Sequence, residues 1–410
     1  MTAQILATNI VKKLVKAGYT AYFAGGWVRD YLLGHPSEDV DIATNAPPEV
    51  ILDLFPHTIL VGLAFGVVVV VEDGHQFEVA TFRRDLEYVN GRQPTAIELS
   101  TPEEDAVRRD FTINGMFYDP LEETVYDYVH GQNDLHHQII RSIGDPYQRF
   151  NEDRLRIVRA IRFAARFGFT IDFDTQEAIR ANADSLFPAV AMERIWQEFC
   201  KMSKYPRFDQ AIIEMHRLDV LQTIFPELKN VHLNEIKHRV AHFSRFPSNV
   251  ETIWYLLELF PKETVEEAEN LCTYLRTSNS DASLARFFIA IRMEVEKDHQ
   301  GNFDKCVWAL LYAHPAVKTA LEIIALSQAD PSAFLSKHNQ RIDSLARHIQ
   351  RIQLKTPLIN AAILQKHGVV PGKKMGLLLK EAERLAILQD FNEVDPLMVA
   401  LKNSEIWNQL

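Results

Sequence analysis

The sequence predicts an α+β protein in which a small mixed-sheet domain is followed by domains built almost entirely from helices. Strand signals are confined to roughly the first 140 residues, whereas beyond Pro146 helical patterns run nearly to the carboxyl end, separated by prolines. A chain of 410 residues is also too long for one compact core, so we expect two to four structural units. The change of pattern places the first domain boundary near residues 140–150.

Helix and strand patterns alternate at the start of the chain. Apolar residues recur at helical spacing over Ile5–Val15, which predicts an amphipathic helix. Tyr22–Ala24 is typical of a strand, and it runs directly into Gly25 and Gly26. Trp27–Leu33 then predicts a second helix. A strand that ends in paired glycines before a helix is one way of building a phosphate-binding turn.

Three further strands and a loop are predicted before residue 100. Asp39–Ile42 alternates acidic and apolar residues, as a strand does. Phe65–Glu72 and Gln76–Phe82, separated by Asp73-Gly74, give a strong hairpin signal. The segment Tyr88–Thr95 contains an Asn-Gly pair and a proline, and we interpret it as a long mobile loop.

The segment after the boundary is rich in arginine although the whole chain is acidic. The net charge of −11, taken alone, argues against a nucleic-acid partner. Residues 141–166, however, hold seven arginines against three acids, a local excess of four positive charges. Within this segment Asn151–Phe167 predicts one continuous helix that ends at Gly168. The arginines form either a phosphate-binding surface or a solvated helix face, and composition does not decide between them.

Targeting and redox signals predict a cytoplasmic protein without a membrane segment. The most apolar run, Val67–Val71, is far shorter than the roughly 20 residues that a membrane helix needs. The first residues lack the basic and then apolar pattern of a secretory signal. The three cysteines lie far apart without CxxC spacing, which indicates buried thiols in a reducing compartment rather than a zinc site or disulfides.

Asp39 and Asp41 are the strongest candidates for metal ligands. They stand two apart on a predicted strand, so their carboxylates project from the same face and repel each other unless a cation lies between them. Glu78 would add a third carboxylate if its strand is a neighbour, and three carboxylates suit a site for two Mg²⁺ ions. Taken alone, a DxD pair is more often a solvated pair of surface acids.

Gly25, Gly26 and Arg29 are candidates for binding a triphosphate. Paired glycines let backbone amides approach a phosphate closely, and the following helix presents the positive end of its dipole. Arg29 lies one turn into that helix and could reach the same group. The simpler alternative is an ordinary strand-to-helix turn. A P-loop is excluded, because the chain contains no GxxxxGK[ST] motif.

In combination, these motifs resemble the signature of the class II tRNA nucleotidyltransferases and bacterial poly(A) polymerases. They follow one another in family order over about residues 20–170 and are highly specific as a set. The motifs that carry the resemblance are Gly25-Gly26-x-Val28-Arg29-Asp30, Asp39-Val40-Asp41, Glu78-Val79-Ala80-Thr81-Phe82-Arg83, Arg108-Arg109-Asp110-Phe111-Thr112-Ile113-Asn114, Ile143-Gly144-Asp145-Pro146 and Arg149-Phe150-x-Glu152-Asp153-x-x-Arg156.

The resemblance implies a division into four parts. Residues 1–140 would form a palm-like nucleotidyltransferase head, and residues 141–205 a helical neck that carries the base-recognition helix. Residues 206–340 would form a helical body, and residues 341–410 a helical tail that binds RNA. Asp39 and Asp41 would bind two Mg²⁺ ions, and Glu78 would be the third catalytic carboxylate.

The resemblance also implies roles in nucleotide binding. Arg109 could contact phosphate. Asp110 and Asn114, four apart and hence expected on one helix face, could bind the ribose hydroxyls. In the family, the ED-x-x-R element acts as a protein template for the incoming base. The residues of this sequence expected to form or support the template are Asp153, Arg156, Arg159 and, as the residue that orients Arg156, Glu152.

Three activities share this kind of head, namely complete CCA addition to tRNA, addition of only the C residues or only the terminal A, and poly(A) tailing. The sequence ranks addition of only the C residues lowest. The hypothesis is template-independent addition of CCA, or of the terminal A, to the 3′ end of tRNA. In this reaction the RNA 3′-hydroxyl attacks the α-phosphate of ATP or CTP in line and releases pyrophosphate. The segment from Phe82 to Pro94 resembles the flexible element used for adding A, and Val61–Val67 resembles the tRNA enzymes. The alternatives are a poly(A) polymerase acting on mRNA or other RNA, and a catalytically silent RNA-binding protein. DNA is not an expected partner.

Overall fold

The computed structural model describes residues 2–35, 37–60, 66–89, 93–261 and 264–408. The chain divides into two compact units, Met1–Ser244 and Arg245–Leu410. The division into head, neck, body and tail is finer than these two units and stays a prediction.

A seven-stranded mixed sheet forms the first part of the amino-terminal unit, as predicted. Its strands lie in the order β3-β4-β5-β2-β1-β8-β9. β2 is parallel to β5, with Ile42 opposite Val79, whereas β1 is antiparallel to both β2 and β8. This topology puts the start of β2 beside the middle of β5. The strands are β1 (Ala21–Ala24), β2 (Asp41–Thr44), β3 (Thr58–Ile59), β4 (Val67–Glu72), β5 (His75–Thr81), β8 (Phe117–Asp119) and β9 (Thr124–Tyr126).

The hairpin of β4 and β5 is confirmed, and a second hairpin corrects the sequence prediction. Asp73 and Gly74 join β4 to β5 with positive φ angles of 49° and 78°, as a tight hairpin turn requires. Of the segment Tyr88–Thr95, which we interpreted as a long loop, residues 88–89 and 93–95 instead belong to two paired strands, β6 (Arg83–Val89) and β7 (Gln93–Leu99). In a sequence, an Asn-Gly pair can indicate a hairpin as well as a loop. Residues 90–92 between the strands lie outside the described residues.

Several helices pack against the strands of this part, and local sequence explains the buried face of one and the start of another. The first buries Leu6, Ile10 and Leu14 along one face, as the helical spacing of apolar residues predicts. Thr101 and Glu104 form a capping box at the start of α4. The helices of this part are α1 (Ala3–Lys16), α2 (Gly26–Leu32), α3 (Pro48–Leu54), α4 (Pro102–Val107), α5 (Gly131–His136) and a 3₁₀ turn at Thr112–Asn114.

The remainder of the amino-terminal unit is helical except for one short parallel strand pair. α7 packs against both α10 and α11, and Gly168 ends it with a φ of 71°, as predicted. The elements are β10 (Ile139–Ile140), α6 (Pro146–Glu152), α7 (Leu155–Phe167), β11 (Thr170–Ile171), α8 (Phe173–Asn182), α9 (Leu186–Ala189), α10 (Met192–Met202), α11 (Phe208–Arg217), α12 (Val220–Ile224) and α13 (Leu233–Arg239).

The prediction of one continuous helix over Asn151–Phe167 was wrong. α6 ends at Glu152 and α7 begins at Leu155, because Asp153 has an extended backbone with φ −142° and ψ 103°. The Asp153 side chain stabilises the break, since its Oδ1 accepts a hydrogen bond of 3.1 Å from the Leu155 amide. A polar side chain that competes for a backbone donor therefore interrupts the helical pattern.

The carboxy-terminal unit is helical throughout its described residues. One of its hydrophobic clusters joins α20, α21 and α22 through Leu364, Leu378 and Leu401. None of the helices in the described ranges is both long and apolar enough to cross a membrane. The helices are α14 (Thr252–Leu257), α15 (Val265–Leu275), α16 (Asn279–His299), α17 (Lys305–Tyr312), α18 (Val317–Ala325), α19 (Pro331–Leu354), α20 (Ala361–Lys366), α21 (Lys373–Leu388), α22 (Val394–Lys402) and α23 (Glu405–Asn408).

Candidate active site

The three predicted carboxylates meet at the edge where β2 begins. Because Ile42 is opposite Val79 in the parallel pair, Asp41 and Glu78, one residue earlier in each strand, are neighbours. Asp39 lies two residues before Asp41, just outside the strand. The carboxyl of Asp41 is reached by solvent but is set among many protein atoms, and the resulting loss of hydration, together with the nearby charges of Asp39 and Glu78, raises its pKa to about 7. The three acids are therefore close enough to repel one another.

The chemistry of this carboxylate set fits Mg²⁺. Among the described residues, no group of three Asp, Glu, His or Cys side chains is gathered as a complete metal site. Mg²⁺ does not need one, since it is commonly held by one or two carboxylates and completed by water and substrate phosphates. A cation would also relieve the repulsion that raises the pKa of Asp41. The residues present fit an ion that arrives together with a triphosphate.

The glycine turn between β1 and α2 lies against Arg109. Gly25 has a φ of 66°, and a Cβ atom there would stand 2.9 Å from the guanidinium of Arg109. Glycine thus permits both the turn and the close approach of a cation. Arg109 is held by Asp105, which accepts hydrogen bonds of 3.1 Å and 2.9 Å from its Nε and a terminal nitrogen. These hydrogen bonds fix a positive charge beside the turn that we predicted to bind phosphate.

Arg29 is more constrained than the sequence suggested. It is only 3% exposed, its Nε donates to Asp30 at 2.8 Å, and a terminal nitrogen donates to the side-chain oxygen of Asn114. Its guanidinium also lies 4.6 Å from the centre of the Phe167 ring. Arg29 still lines the pocket, but its Nε and one terminal nitrogen already donate to groups inside the protein. It therefore positions Asn114 directly.

Asp110 and Asn114 come together, although not on an α-helix as expected. Asp110 precedes the 3₁₀ turn, and the Asn114 amide donates to its Oδ1 at 3.0 Å. Nε of Arg159 donates to the other oxygen of Asp110 at 2.9 Å. Burial alone would raise the pKa of Asp110, but the charge of Arg159 and the hydrogen bond from Asn114 hold it well below its ordinary value. Asp110 is thus a permanent carboxylate in the pocket wall.

Glu152 orients Arg156 in the way that the sequence predicted. A terminal nitrogen of Arg156 donates to Glu152 at 3.0 Å, and the guanidinium also donates to the carbonyl oxygens of Arg149 and Arg108. Asp153 does not share a helix face with Arg156, since it lies in the break between α6 and α7. Both side chains nevertheless border the same pocket.

One pocket of about 440 Å³ gathers most of the predicted site. The predicted residues that line it are Gly25, Gly26, Arg29, Asp41, Arg109, Asp110, Asn114, Asp153, Arg156 and Arg159. Asp39, Glu78 and Glu152 lie outside its lining. The lining also contains four residues that sequence reasoning did not assign to the site, namely Arg108, Leu155, Phe163 and Arg194. Arg194 lies far along the chain from the recognised motifs, so spacing gave no signal for it.

Most arginines of residues 141–166 form ion pairs inside the amino-terminal unit, and two of them, Arg156 and Arg159, also line the pocket. Arg162 is buried and pairs with Glu198 on α10 at 2.5 Å. Arg166 pairs with Asp30 on α2, and Arg141 pairs with Asp134 and Asp172. These charges connect elements within the amino-terminal unit, so the local excess of arginine mainly reflects internal ion pairs.

Two family models match the amino-terminal unit. The model described as "Poly A polymerase head domain" matches residues 21–141, which contain the sheet and its carboxylates. The model described as "Probable RNA and SrmB-binding site of polymerase A" matches residues 168–231, which follow α7.

Relatives extend the similarity to nearly the whole chain. The CCA-adding enzyme of Ligilactobacillus salivarius is 33% identical over 384 residues, 92% of this chain and 91% of that protein. The enzyme of the same name from Pediococcus pentosaceus is 32% identical over 93% of both chains. The crystal structure of the Bacillus stearothermophilus CCA-adding enzyme in complex with CTP is 26% identical, with a TM-score of 0.73 and 98% of each chain covered. The chain therefore belongs to the family of CCA-adding enzymes, the class II tRNA nucleotidyltransferases.

Proposed function

We propose that this protein adds the sequence CCA to the 3′ end of tRNA without a nucleic-acid template, using CTP and ATP. The observation that carries the proposal is that one pocket joins Asp41 of the carboxylate cluster to the base-recognition candidates Asp153 and Arg156. A single bound nucleotide can therefore place its triphosphate at the glycine turn and its base beside α7. Relatives that match more than nine tenths of the chain carry the name of this activity.

In the proposed reaction, each side chain has a task that its surroundings support. Asp39 and Asp41 would hold two Mg²⁺ ions, with Glu78 as the third carboxylate beside them. When bound, the ions would activate the RNA 3′-hydroxyl and neutralise charge on the triphosphate. Gly25, Gly26 and the guanidinium of Arg109 border the part of the pocket where phosphate oxygens would bind. The Gly26 amide would donate to them, since the Gly25 amide already donates to the carbonyl oxygen of Met116. The reaction is an in-line displacement that releases pyrophosphate.

Selection of C and A follows from the hydrogen-bonding groups of Asp153 and Arg156. A carboxylate only accepts hydrogen bonds and a guanidinium only donates them. Cytosine and adenine share an amino donor next to a ring-nitrogen acceptor, which matches this pair, whereas uracil and guanine present the opposite pattern. Asp110 and Asn114 would bind the ribose, with Arg29 and Arg159 holding them in place.

Complete CCA addition is favoured over the other activities of this kind of head. The proteins from Ligilactobacillus salivarius, Pediococcus pentosaceus and Bacillus stearothermophilus are named CCA-adding enzymes, and none of these names describes a tailing enzyme. Two sequence features that bear on the choice lie partly outside the described residues, namely Val61–Val67 and the connection of β6 to β7. A cytoplasmic location remains our expectation from the sequence.

Single-nucleotide extension of four tRNA transcripts tests the proposal. The transcripts would end at the discriminator base, C, CC and CCA, and each would be offered CTP or ATP separately with Mg²⁺. We expect CTP to extend the first two, ATP to extend the third, and neither nucleotide to extend the fourth. Use of ATP on the CC-ended transcript alone would mean a separate C-adding enzyme. Long adenylate tails with CTP ignored would instead establish a poly(A) polymerase.

A further inference from the structure

Arg194 is a charged wall residue of the nucleotide pocket that none of the recognised motifs contains. It lies in the first turn of α10 and borders the pocket together with Asp153 and Arg156. One of its terminal nitrogens is 3.6 Å from Oδ2 of Asp153. This distance is that of an ion pair and is too long for a hydrogen bond.

The other terminal nitrogen of Arg194 is buried and has no hydrogen-bond partner among the described residues. A buried guanidinium N–H without an acceptor is costly, and such groups are found where a ligand or a moving side chain completes them. α10 itself is held firmly, since Glu198, one turn beyond Arg194, forms the buried pair with Arg162 of α7. Arg194 therefore extends from a fixed support towards the break between α6 and α7.

The two oxygens of Asp153 have different surroundings. Oδ1 accepts the hydrogen bond from the Leu155 amide and so stabilises the start of α7. Oδ2 is the oxygen near Arg194. A carboxylate oxygen can accept two hydrogen bonds, so Oδ2 can receive one from Arg194 and another from a ligand.

We propose that Arg194 is a positioning residue for base selection, which directs Oδ2 of Asp153 towards the exocyclic amino group of cytosine or adenine. The inference rests on the proposed function, because it assumes that Asp153 meets the base. A shortening of the Arg194–Asp153 contact by roughly 0.6 Å on nucleotide binding converts the ion pair into a charge-assisted hydrogen bond. Arg194 acts through Asp153 and need not touch the base.

A nucleotide without the amino group separates this role from a structural one. The proposed probe is the triphosphate of pyrimidin-2-one riboside, which is cytidine triphosphate without its 4-amino group. With tRNA ending at C, we expect Arg194→Ala to lower kcat/KM for CTP about tenfold or more, as loss of support for a charged hydrogen bond does. The same variant should change kcat/KM for the probe less than about twofold, because the contact that Arg194 supports is absent there.

Two further variants act as controls. Arg194→Lys keeps the charge and should recover part of the activity with CTP, which also covers the case in which the alanine variant folds poorly. Arg180→Ala removes an arginine of the same unit whose partner is the exposed Glu177. This variant should leave kcat/KM unchanged for both CTP and the probe. Equal losses for CTP and the probe, or no loss for either, would overturn the inference. If the unaltered protein incorporates neither CTP nor ATP, the proposed function itself fails, and the inference fails with it.

Discussion

Nε of Arg159 on α7 donates a hydrogen bond of 2.9 Å to Oδ2 of Asp110, a residue 49 positions earlier in the chain. The same guanidinium lies 5.4 Å from the centre of the Phe163 ring, and Asn114 donates to the other oxygen of Asp110. The pair thus joins the sheet part of the amino-terminal unit to the helix beside the base-recognition candidates. Hydrogen bonds thus connect Arg159, Asp110 and Asn114 within one part of the pocket wall.

Replacing Asp110 with Asn should destabilise the amino-terminal unit and reduce activity together. The variant leaves Arg159 without its countercharge in a largely buried position, and we expect the free energy of unfolding to fall by about 2 kcal/mol. Urea unfolding of Asp110→Asn, Arg159→Gln and the double variant measures the coupling. Losses that simply add in the double variant would show that the two side chains do not act as a pair.

Replacing Asp39 or Asp41 with Ala should remove nucleotide transfer without unfolding the protein. Each change takes away a proposed Mg²⁺ ligand, and we expect the rate to fall by at least about a hundredfold. Removing Asp41 also relieves repulsion among the three acids, so the thermal midpoint should hold or rise. Asp53→Ala, at an exposed site on α3, is the matched control and should retain full activity. Substantial transfer by both active-site variants would refute the metal assignment.

A buried histidine predicts an acid-sensitive carboxy-terminal unit. Burial, assisted by the charge of Arg341, lowers the pKa of His338 to about 4, and a ring nitrogen of His338 lies 2.7 Å from the hydroxyl of Tyr312. Because the unfolded chain binds a proton near pH 6.5 and the folded chain does not, stability is full above that pH. It is lost as pH falls from about 6.5 to about 4, by about 2 kcal/mol at pH 5.

Urea midpoints at pH 7 and pH 5 test this expectation. The unaltered protein should lose stability between the two values, and His338→Gln should lose distinctly less. Asp298, whose pKa is about 2 because hydrogen bonds from Arg341 and Lys337 outweigh the effect of burial, stays ionised over this range and does not obscure the comparison. An equal loss of stability in both proteins would mean that a group other than His338 causes the acid sensitivity.

Local signals in the sequence were enough to predict the parts of the fold that place the carboxylates. Helical spacing identified α1, and the Asp73-Gly74 turn identified the hairpin of β4 and β5. The two-residue spacing of Asp39 and Asp41 identified the acidic edge of the sheet. These features depend on neighbouring residues alone, which is why one sequence suffices for them.

Features that depend on tertiary contacts were missed. The break at Asp153 depends on a side chain that competes for a backbone amide, and periodicity does not reveal it. The arginines of α7 were read as a surface because their acidic partners, such as Asp110 and Glu198, lie 49 and 36 residues away in sequence. Arg194 reaches the pocket only because α10 packs on α7.

The most direct test of the account is the product made on a tRNA transcript that ends at the discriminator base, with CTP, ATP and Mg²⁺ all present. Products resolved to single nucleotides should grow by three residues with the sequence CCA and then stop, and the Asp41→Ala variant should add none. A product that grows into a long adenylate tail, or one that lacks the two C residues, would contradict CCA addition by this chain.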